Sequence, residues 1–494
     1  MTSSISASDK SRFSRAALKA GARRNLSVMA LFAVLTLAAY IGLVFFQLGS
    51  WSKAEWWLRD IINLRRIFYT EELANFPPDQ QKTLIIGGSA SLFGVNSRQI
   101  QTEIGEPVLN LGLHAGLDID LLMSAANEYV DTNDRVVVPL EFELYNRESP
   151  TDLTPANFLA FFYAYMKPVP LSHYPEILIA VSPVQILEAA WEKIEAGLRG
   201  KRRHPLLDDP ALLADWQKVR AEPGLKGYGP YDYSTMTDHG DKELILNTPP
   251  RLLKTLAPLN TPIVANLSPY GIRQLTTWRD IIAGEGASMF LTWPVILEDD
   301  SGSIFNESYW NRLIKLAKAS SEQGLPIYCD PVAAVVPRQY RYDTVYHLNA
   351  KGSAIYSDGL AACIRDIEKH PFDFASADPK DLARRAREKV EGLRIPAEPL
   401  VFPYERNLVR LHRLQAAIDQ IHAEGGAYPS TLPPGPNAAS LWYKSDGKDY
   451  KLLAEDADEC YVVEMVAPDR VDPVRRKDES CGAYGYWSAG AADW

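Results

Sequence analysis

"LIIGGSASLFGVNS", residues 84–97, begins as a buried strand and ends as the opening of a helix. Leu84, Ile85 and Ile86 form a short apolar run, Gly87 and Gly88 break it, and Ser89 follows at once. Two physical readings fit a hydroxyl at that corner. Ser89 is a helix N-cap, a position that serine fills well. Alternatively it is a nucleophile held where helix N-terminal amides stabilise an oxyanion. Its partners decide between them.

Working outward, similar runs alternate with helical stretches. "KTLIIGG" (82–88), "PVLNLGL" (107–113), "RVVVPLEF" (135–142), "ASMFLTWP" (287–294) and "LPIYCDP" (325–331) read as strands. Helical patterns lie near 53–75, 117–130 and 306–323. Short, continuous strands rich in Val, Ile and Leu are those of a parallel sheet covered on both faces. The expected class is α/β, a doubly wound parallel sheet.

The chain has 494 residues, more than one ordinary core accommodates, so two or three domains are expected. Its 46% hydrophobic and 23% charged residues describe a globular protein. Charge is unevenly spread: residues 1–24 hold Lys10, Arg12, Arg15, Lys19, Arg23 and Arg24 against Asp9, a net +5, so the remainder carries −15 of the total −10. An acidic body argues against nucleic-acid binding. Residues 26–48, "LSVMALFAVLTLAAYIGLVFFQL", carry no charge. At about 1.5 Å per residue they reach roughly 34 Å, enough for a hydrocarbon core of about 30 Å. Basic residues precede this run, and Trp51, Trp56 and Trp57 follow it where an interfacial aromatic belt is expected. The run therefore reads as an uncleaved anchor in the inner membrane, with residues 1–25 cytoplasmic and the body after Trp51 periplasmic.

Residues 146–250 differ in character. "NFLAFFYAYMKPVP" (157–170) and "EILIAVSPVQILEAAWEKI" (176–194) are apolar but broken by Pro168, Pro170 and Pro183, and neither spans a bilayer convincingly. They read as an inserted cap over the sheet, or as a surface resting on the membrane or a partner. Residues 371–403 have linker composition. In 404–494 a helical stripe of Leu408, Leu411, Leu414, Ile418 and Ile421 precedes turns and short antiparallel strands, an α+β unit. Of four cysteines, Cys460 and Cys481 are the expected disulfide, because a short loop-rich tail gains from a staple; Cys329 and Cys363 lie elsewhere. No cysteine or histidine cluster has metal-ligand spacing, and no cofactor is implied.

A serine nucleophile needs a base, and the base an orienter. In "YRYDTVYHLNAKGSAIYSDGLAACI" (340–364) His347 opens a loop ahead of a helix from about Ala350, and Asp343 lies four residues before it. Ser89 follows the first strand and His347 the last. Loops at the carboxyl ends of such strands gather where ligands bind. Between them "NLGLHAGLD" (110–118) supplies Gly112 and Gly116, whose amides can approach an oxyanion.

This order resembles the SGNH hydrolase family: serine after strand one, a glycine block after strand two, Asp and His near the domain's end. The resemblance covers roughly 80–370 and implies a flavodoxin-like sheet. It makes Ser89 the nucleophile, His347 the general base and acid, and Asp343 its orienter, with the amides of Ser89, Gly116 and less strongly Gly112 at the oxyanion. Three features depart from the family. Gly88 replaces the Asp of "GDS", "DTVYH" is one residue longer than DxxH, and Glu141 stands where the third block offers Asn, with Asn146 farther on.

Membrane-anchored proteins of this layout look like accessory proteins of bacterial cell-envelope polysaccharide acylation. They imply a polysaccharide substrate and a membrane-bound O-acyltransferase as partner. The tail resembles the soluble part of type IV pilins and type II secretion pseudopilins. Three readings stay open: a Ser-His-Asp acyltransferase or esterase, a non-catalytic glycan- or carrier-binding scaffold, and a secretion or pilus component.

Overall fold

The structure is a computed structural model, and it describes residues 7–50, 54–77, 79–200, 207–221, 231–244, 267–299, 301–368, 372–394, 406–432, 441–454, 471–472, 483–491 and 494. It is a mixed α/β protein built on a parallel sheet.

The first helix, α1 (Ala7–Gln47), is long and apolar enough to cross a membrane over Gly21–Gln47. Its apolar side chains point outward: Leu26, Met29, Phe32 and Phe45 are all exposed. Helix α2 (Trp56–Leu73) follows and turns Leu58, Ile61, Leu64 and Phe68 into the core. Four strands make the sheet: β1 (Thr83–Ile85), β2 (Val108–Asn110), β3 (Arg135–Pro139) and β4 (Ser288–Thr292), in the order β2-β1-β3-β4, every pair parallel. The register sets Leu84 beside Leu109 on one side and Val136 on the other. Nearly every residue of β1–β3 is buried, which explains continuous apolar runs in place of alternation. The sequence order reverses between β1 and β3, so the loops after these two strands diverge around one crevice. Ser89 follows β1 and Glu141 follows β3.

Helices begin and end where their caps dictate. Between β1 and β2 lie α3 (Ser89–Gly94) and α4 (Ser97–Ile104). Asn96 caps α4 by accepting from the Gln99 amide, and Gly105 ends it at φ 77°. Helix α5 (Ile119–Ala126) starts at Asp118. Beyond β3 come α6 (Phe142–Asn146), α7 (Leu153–Asn157), α8 (Tyr174–Ile179), α9 (Pro183–Arg199) and α10 (Asp209–Ala221). Before β4, α11 (Pro269–Gly284) opens with Ser268 accepting from Gly271 and proline in its first turn. After it come α12 (Glu307–Glu322), α13 (Ala350–Asp366), whose N-cap Asn349 accepts from Gly352, and α14 (Pro379–Leu393).

Several sequence expectations change here. "LPIYCDP" does not form a fifth strand: one parallel bridge joins Ile327 to Leu291. Cys329 then adopts a left-handed backbone (φ 72°) and Asp330 caps a turn at Pro331–Ala334, which together end the extension. A small parallel pair not foreseen, β5 (Ile296–Leu297) with β6 (Val335–Val336), lies beyond it. Of the aromatic residues after α1, Trp51 lies outside the described residues, and Trp56 and Trp57 are half-buried, Trp56 against Phe161 and Trp57 against His114 and Tyr231. The disulfide of the structure is Cys329–Cys363, Cα atoms 5.6 Å apart, tying the Asp330 turn to α13; Cys460 and Cys481 lie outside the described residues.

In the C-terminal part, α15 (Arg406–Gly425) buries Leu414 and Ile418. Four strands follow, β7 (Leu441–Ser445), β8 (Tyr450–Ala454), β9 (Val471–Asp472) and β10 (Ala483–Trp487), in an antiparallel sheet ordered β7-β8-β10-β9. The stripe residues Leu408 and Leu411 have side chains outside the described set, and Ile421 is 38% exposed.

Candidate active site

The turn from β1 to α3 is built at close quarters. A β-carbon at Gly88 would lie 2.5 Å from Glu141 Oε1 and 2.7 Å from the Ala115 backbone, so no larger residue fits. That accounts for glycine at position 88. Gly112 meets the same limit from the other side: its β-carbon would sit 2.5 Å from the Leu92 amide. Glycine at both points lets α3 approach the segment after β2.

Ser89 is not the N-cap of α3. Gly88 holds that position with no side-chain cap, and Ser89 is the first helical residue, nearly buried. The capping is done by Glu141, whose Oε2 accepts from the Gly88 amide (2.9 Å) and Oε1 from the Ala90 amide (2.8 Å). The Glu141 carboxyl is fully enclosed; burial pushes it up to about 7, against the lowering effect of the Ala90 and Gly88 amides. Between Gly88 and Ala90, the Ser89 amide is a first-turn donor with no intrahelical acceptor.

Asp343 and His347 are brought together as the spacing implied. An antiparallel bridge joins Arg341 to Leu348 and the Tyr342 amide donates to the His347 carbonyl at 2.7 Å, folding 341–348 into a closed loop. That loop absorbs the extra residue of "DTVYH". His347 Nδ1 lies 2.7 Å from Asp343 Oδ1, the geometry of an imidazole held in one tautomer. Burial alone would raise the Asp343 carboxyl; the His347 hydrogen bond and charge, with the Tyr231 hydroxyl, outweigh it and hold the group below its ordinary value.

Phe93 joins this pair to the serine. It lies one turn beyond Ser89 on α3, so the two side chains share a face. Its ring stacks on the His347 imidazole with centroids 4.2 Å apart and planes 25° apart. Ser353, in the first turn of α13 after His347, donates to the Gly94 carbonyl at 2.9 Å and locks the two helices together. Phe93 therefore sets His347 against the short helix that Ser89 opens, and no hydrogen bond links Ser89 Oγ to His347 in this structure. Catalytic contacts of this kind often close only around substrate.

Sequence reasoning missed several neighbours. Tyr231, from the segment inserted after β3, donates to Asp343 Oδ2 and stands 3.3 Å from His347 Nδ1. It is 112 residues from Asp343, and no local pattern marks it. Trp57 of α2 packs edge-on against both Tyr231 and His114. The His114 pKa is lowered by burial, by the charge of His347 and by Arg147. Its Nδ1 accepts from the Gly116 amide at 3.1 Å, so the ring is neutral and the 3.6 Å approach of Glu55 Oε2 is not an ion pair. Burial raises the Glu55 carboxyl to about 7, consistent with a neutral contact.

The two glycine amides named for the oxyanion are engaged elsewhere. Gly116 donates to His114, and Gly112 donates to Asn110 Oδ1 at 3.0 Å while its carbonyl accepts from Arg65. Among the described residues no group of three or more His, Cys, Asp or Glu is arranged to hold a metal ion.

No family model matches the chain, and neither a curated protein nor a solved structure matches it.

Proposed function

We propose that this chain is a membrane-anchored acyltransferase or esterase of SGNH type, acting on an exported cell-envelope or extracellular polysaccharide. The observation that carries the reading is the Asp343–His347 pair stacked on Phe93, one helical turn from Ser89. The strand order β2-β1-β3-β4 supports the doubly wound form of the sheet. The outward-facing apolar surface of α1 supports a single anchor, and the basic residues before it support a cytoplasmic N-terminus and a periplasmic body.

In this reading Ser89 Oγ attacks the acyl carbonyl and its proton passes to His347 Nε2. The C–O bond to the leaving group then breaks and His347 protonates the departing oxygen. An acceptor hydroxyl of the polysaccharide, deprotonated by His347, attacks the acyl-serine and releases Ser89; water in its place gives the esterase. Asp343 holds the imidazole and stabilises the imidazolium. The Ser89 amide is the oxyanion donor we assign first. Gly116 serves only by releasing His114, and Gly112 only by releasing Asn110. Glu141 beside a developing oxyanion is tolerated in its neutral form, which its raised pKa of about 7 makes available below that pH. A membrane-bound O-acyltransferase is the partner proposed to bring the acyl group.

One observation favours the scaffold reading as an alternative. The amides of Gly88, Ala90, Gly112 and Gly116 are all satisfied internally, leaving few donors for an oxyanion. The antiparallel tail sheet packed with α15 supports likeness to pilin soluble domains, and a secretion-system role rests on that alone. The test is acyl release from a chromogenic ester by the full chain, with acetyl content of the cell's polysaccharide as the readout in vivo. Ser89→Ala protein that accumulates normally and leaves envelope acylation unchanged overturns the enzyme and favours the scaffold.

A further inference from the structure

Among the described residues outside α1, α9 carries a long exposed apolar stripe. Val184, Leu187, Trp191, Ile194 and Leu198 follow one another at spacings of three and four and all point outward. Trp191 is 63% and Leu198 81% exposed, which a helix merely capping the sheet does not explain. Nearby in sequence, Leu171 (79%) and Ile179 (83%) on and before α8 are equally bare. The opposite side of α9 is buried: Ile186 and the small Ala189 and Ala190.

That buried side packs against the end of α1. Ile186 and Ala189 belong to one apolar cluster with Leu159 and Ala160, and Tyr40, Leu43 and Val44 of α1 lie against it. Small residues here allow the close helix approach usual among membrane helices. Lys193 runs along α1, its ammonium over the Phe46 ring at 5.5 Å and donating to the Leu48 carbonyl at 3.1 Å. Tyr40 lies seven residues inside the end of α1 at Gln47, roughly 10 Å deep along a helix. Interfacial helices bury their apolar face about 5–10 Å below the headgroups. A helix packed on α1 at this level cannot avoid the lipid that surrounds α1.

We propose that α9, with the bare residues around α8, lies in the outer half of the bilayer beside α1, its Leu187–Trp191–Leu198 face in lipid. The inference rests on α1 being an anchor and is independent of the catalytic reading. Glu188, Glu192 and Glu195 flank the stripe at headgroup level, where charged side chains reach water, and the Arg199–Glu195 pair (2.6 Å) closes its C-terminal end. The consequence is that the inserted segment is pinned to the membrane surface at one end while its Tyr231 reaches Asp343 at the other.

The test uses the full chain in vesicles of phosphatidylethanolamine and phosphatidylglycerol, with p-benzoylphenylalanine placed singly at position 187 or 198. Position 32 within α1 is the lipid control and position 388 on α14 the aqueous control. Irradiation is expected to give phospholipid adducts at 187 and 198 in yields within about twofold of position 32, and at least fivefold above position 388. Adducts at 32 with none at 187 and 198 overturn the proposal and keep the anchor. Crosslinks from 187 or 198 to a second copy, or in cells to another polypeptide, overturn it in favour of a protein partner. Absence of lipid adducts at 32 itself overturns both the anchor and the proposal.

Discussion

Two Asp–His pairs sit among the described residues, and their surroundings differ. At the first, His173 Nδ1 lies 3.1 Å from both carboxylate oxygens of Asp120, and Trp278 Nε1 donates to the same carboxylate at 2.7 Å. All three side chains are buried where α5 and α11 meet the segment before α8. The Asp120 hydrogen bond, against the opposing effect of burial, raises the pKa of His173. At the second, His347 contacts one oxygen of Asp343 only, Tyr231 takes the other, and the imidazole stacks beside the serine corner. The same two side chains make a clamp in one place and a candidate base with its orienter in the other. What distinguishes them is their surroundings, not the pair itself: His347 stacks on Phe93 of the helix that Ser89 opens, whereas His173 shares its carboxylate with Trp278.

The sharpest way to break this comparison is to remove one member from each place. Ser89→Ala is expected to abolish ester cleavage by at least about 10³-fold while changing stability by less than about 1 kcal/mol, since Ser89 Oγ caps nothing. His347→Ala is expected to lose a comparable factor, and the double variant little more, because such residues act as a unit. Initial rates with a chromogenic ester and thermal melts of the same preparations read both; additive losses would separate Ser89 from His347.

Asp343→Asn is next, with an expected loss on the order of 10³-fold from presenting the wrong tautomer of His347. The converse holds at the other pair. His173→Ala is expected to cost about 3 kcal/mol of stability by leaving Asp120 without one partner in a buried site, yet to leave the rate per folded molecule unchanged. Denaturant titration beside active-site-normalised rates checks it. A drop in rate without destabilisation would show that the two pairs do not divide labour in this way.

Glu141 sets a pH dependence of known sign. Its carboxyl titrates at about 7 folded and at the ordinary 4.5 unfolded, so the folded chain holds the extra proton between those values. Its contribution to stability therefore falls as pH rises from about 4.5 through about 7, by up to about 3 kcal/mol. Glu141→Gln is expected to flatten that decline and, by leaving one buried amide without an acceptor, to lower stability at pH 5 by about 1–3 kcal/mol. Melting temperatures from pH 5 to 8 give both quantities; parallel curves for the two proteins would contradict the assignment.

Smallest is Tyr231→Phe. Losing one hydrogen bond to Asp343 is expected to lower the rate about 2- to 10-fold with the fold intact, seen in kcat and not in the melt. No change would make Tyr231 a packing residue of the inserted segment.

Much of the site was legible because it is encoded in short range. Ser89 follows its strand directly, and Asp343 precedes His347 by four residues in a loop that closes on itself. Gly88 and Gly112 were visible as glycines, though the reason for each, an α3 helix pressed between Glu141 and the segment after β2, was not. Glu141 stood out as a departure from a familiar pattern; its work as the cap of α3 needed the crevice between β1 and β3. Tyr231, Trp57, His114 and the Asp120–His173 clamp carried no signal, because their partners lie tens to more than a hundred residues away.

Residue order by itself determined the parallel α/β core, the helix long enough to cross a membrane, the glycine corner at Ser89 and the pairing of Asp343 with His347. Each depends on apolar runs, turn chemistry or contacts within a few residues, which the backbone imposes locally. Only the tertiary structure decided that "LPIYCDP" ends at one bridge, that Cys329 pairs with Cys363, and that Glu141 rather than Ser89 caps α3. It also decided that the inserted segment reaches back to Asp343. Those outcomes are set by which surfaces meet once the sheet is assembled, and burial, close approach and shared carboxylates exist only after that packing.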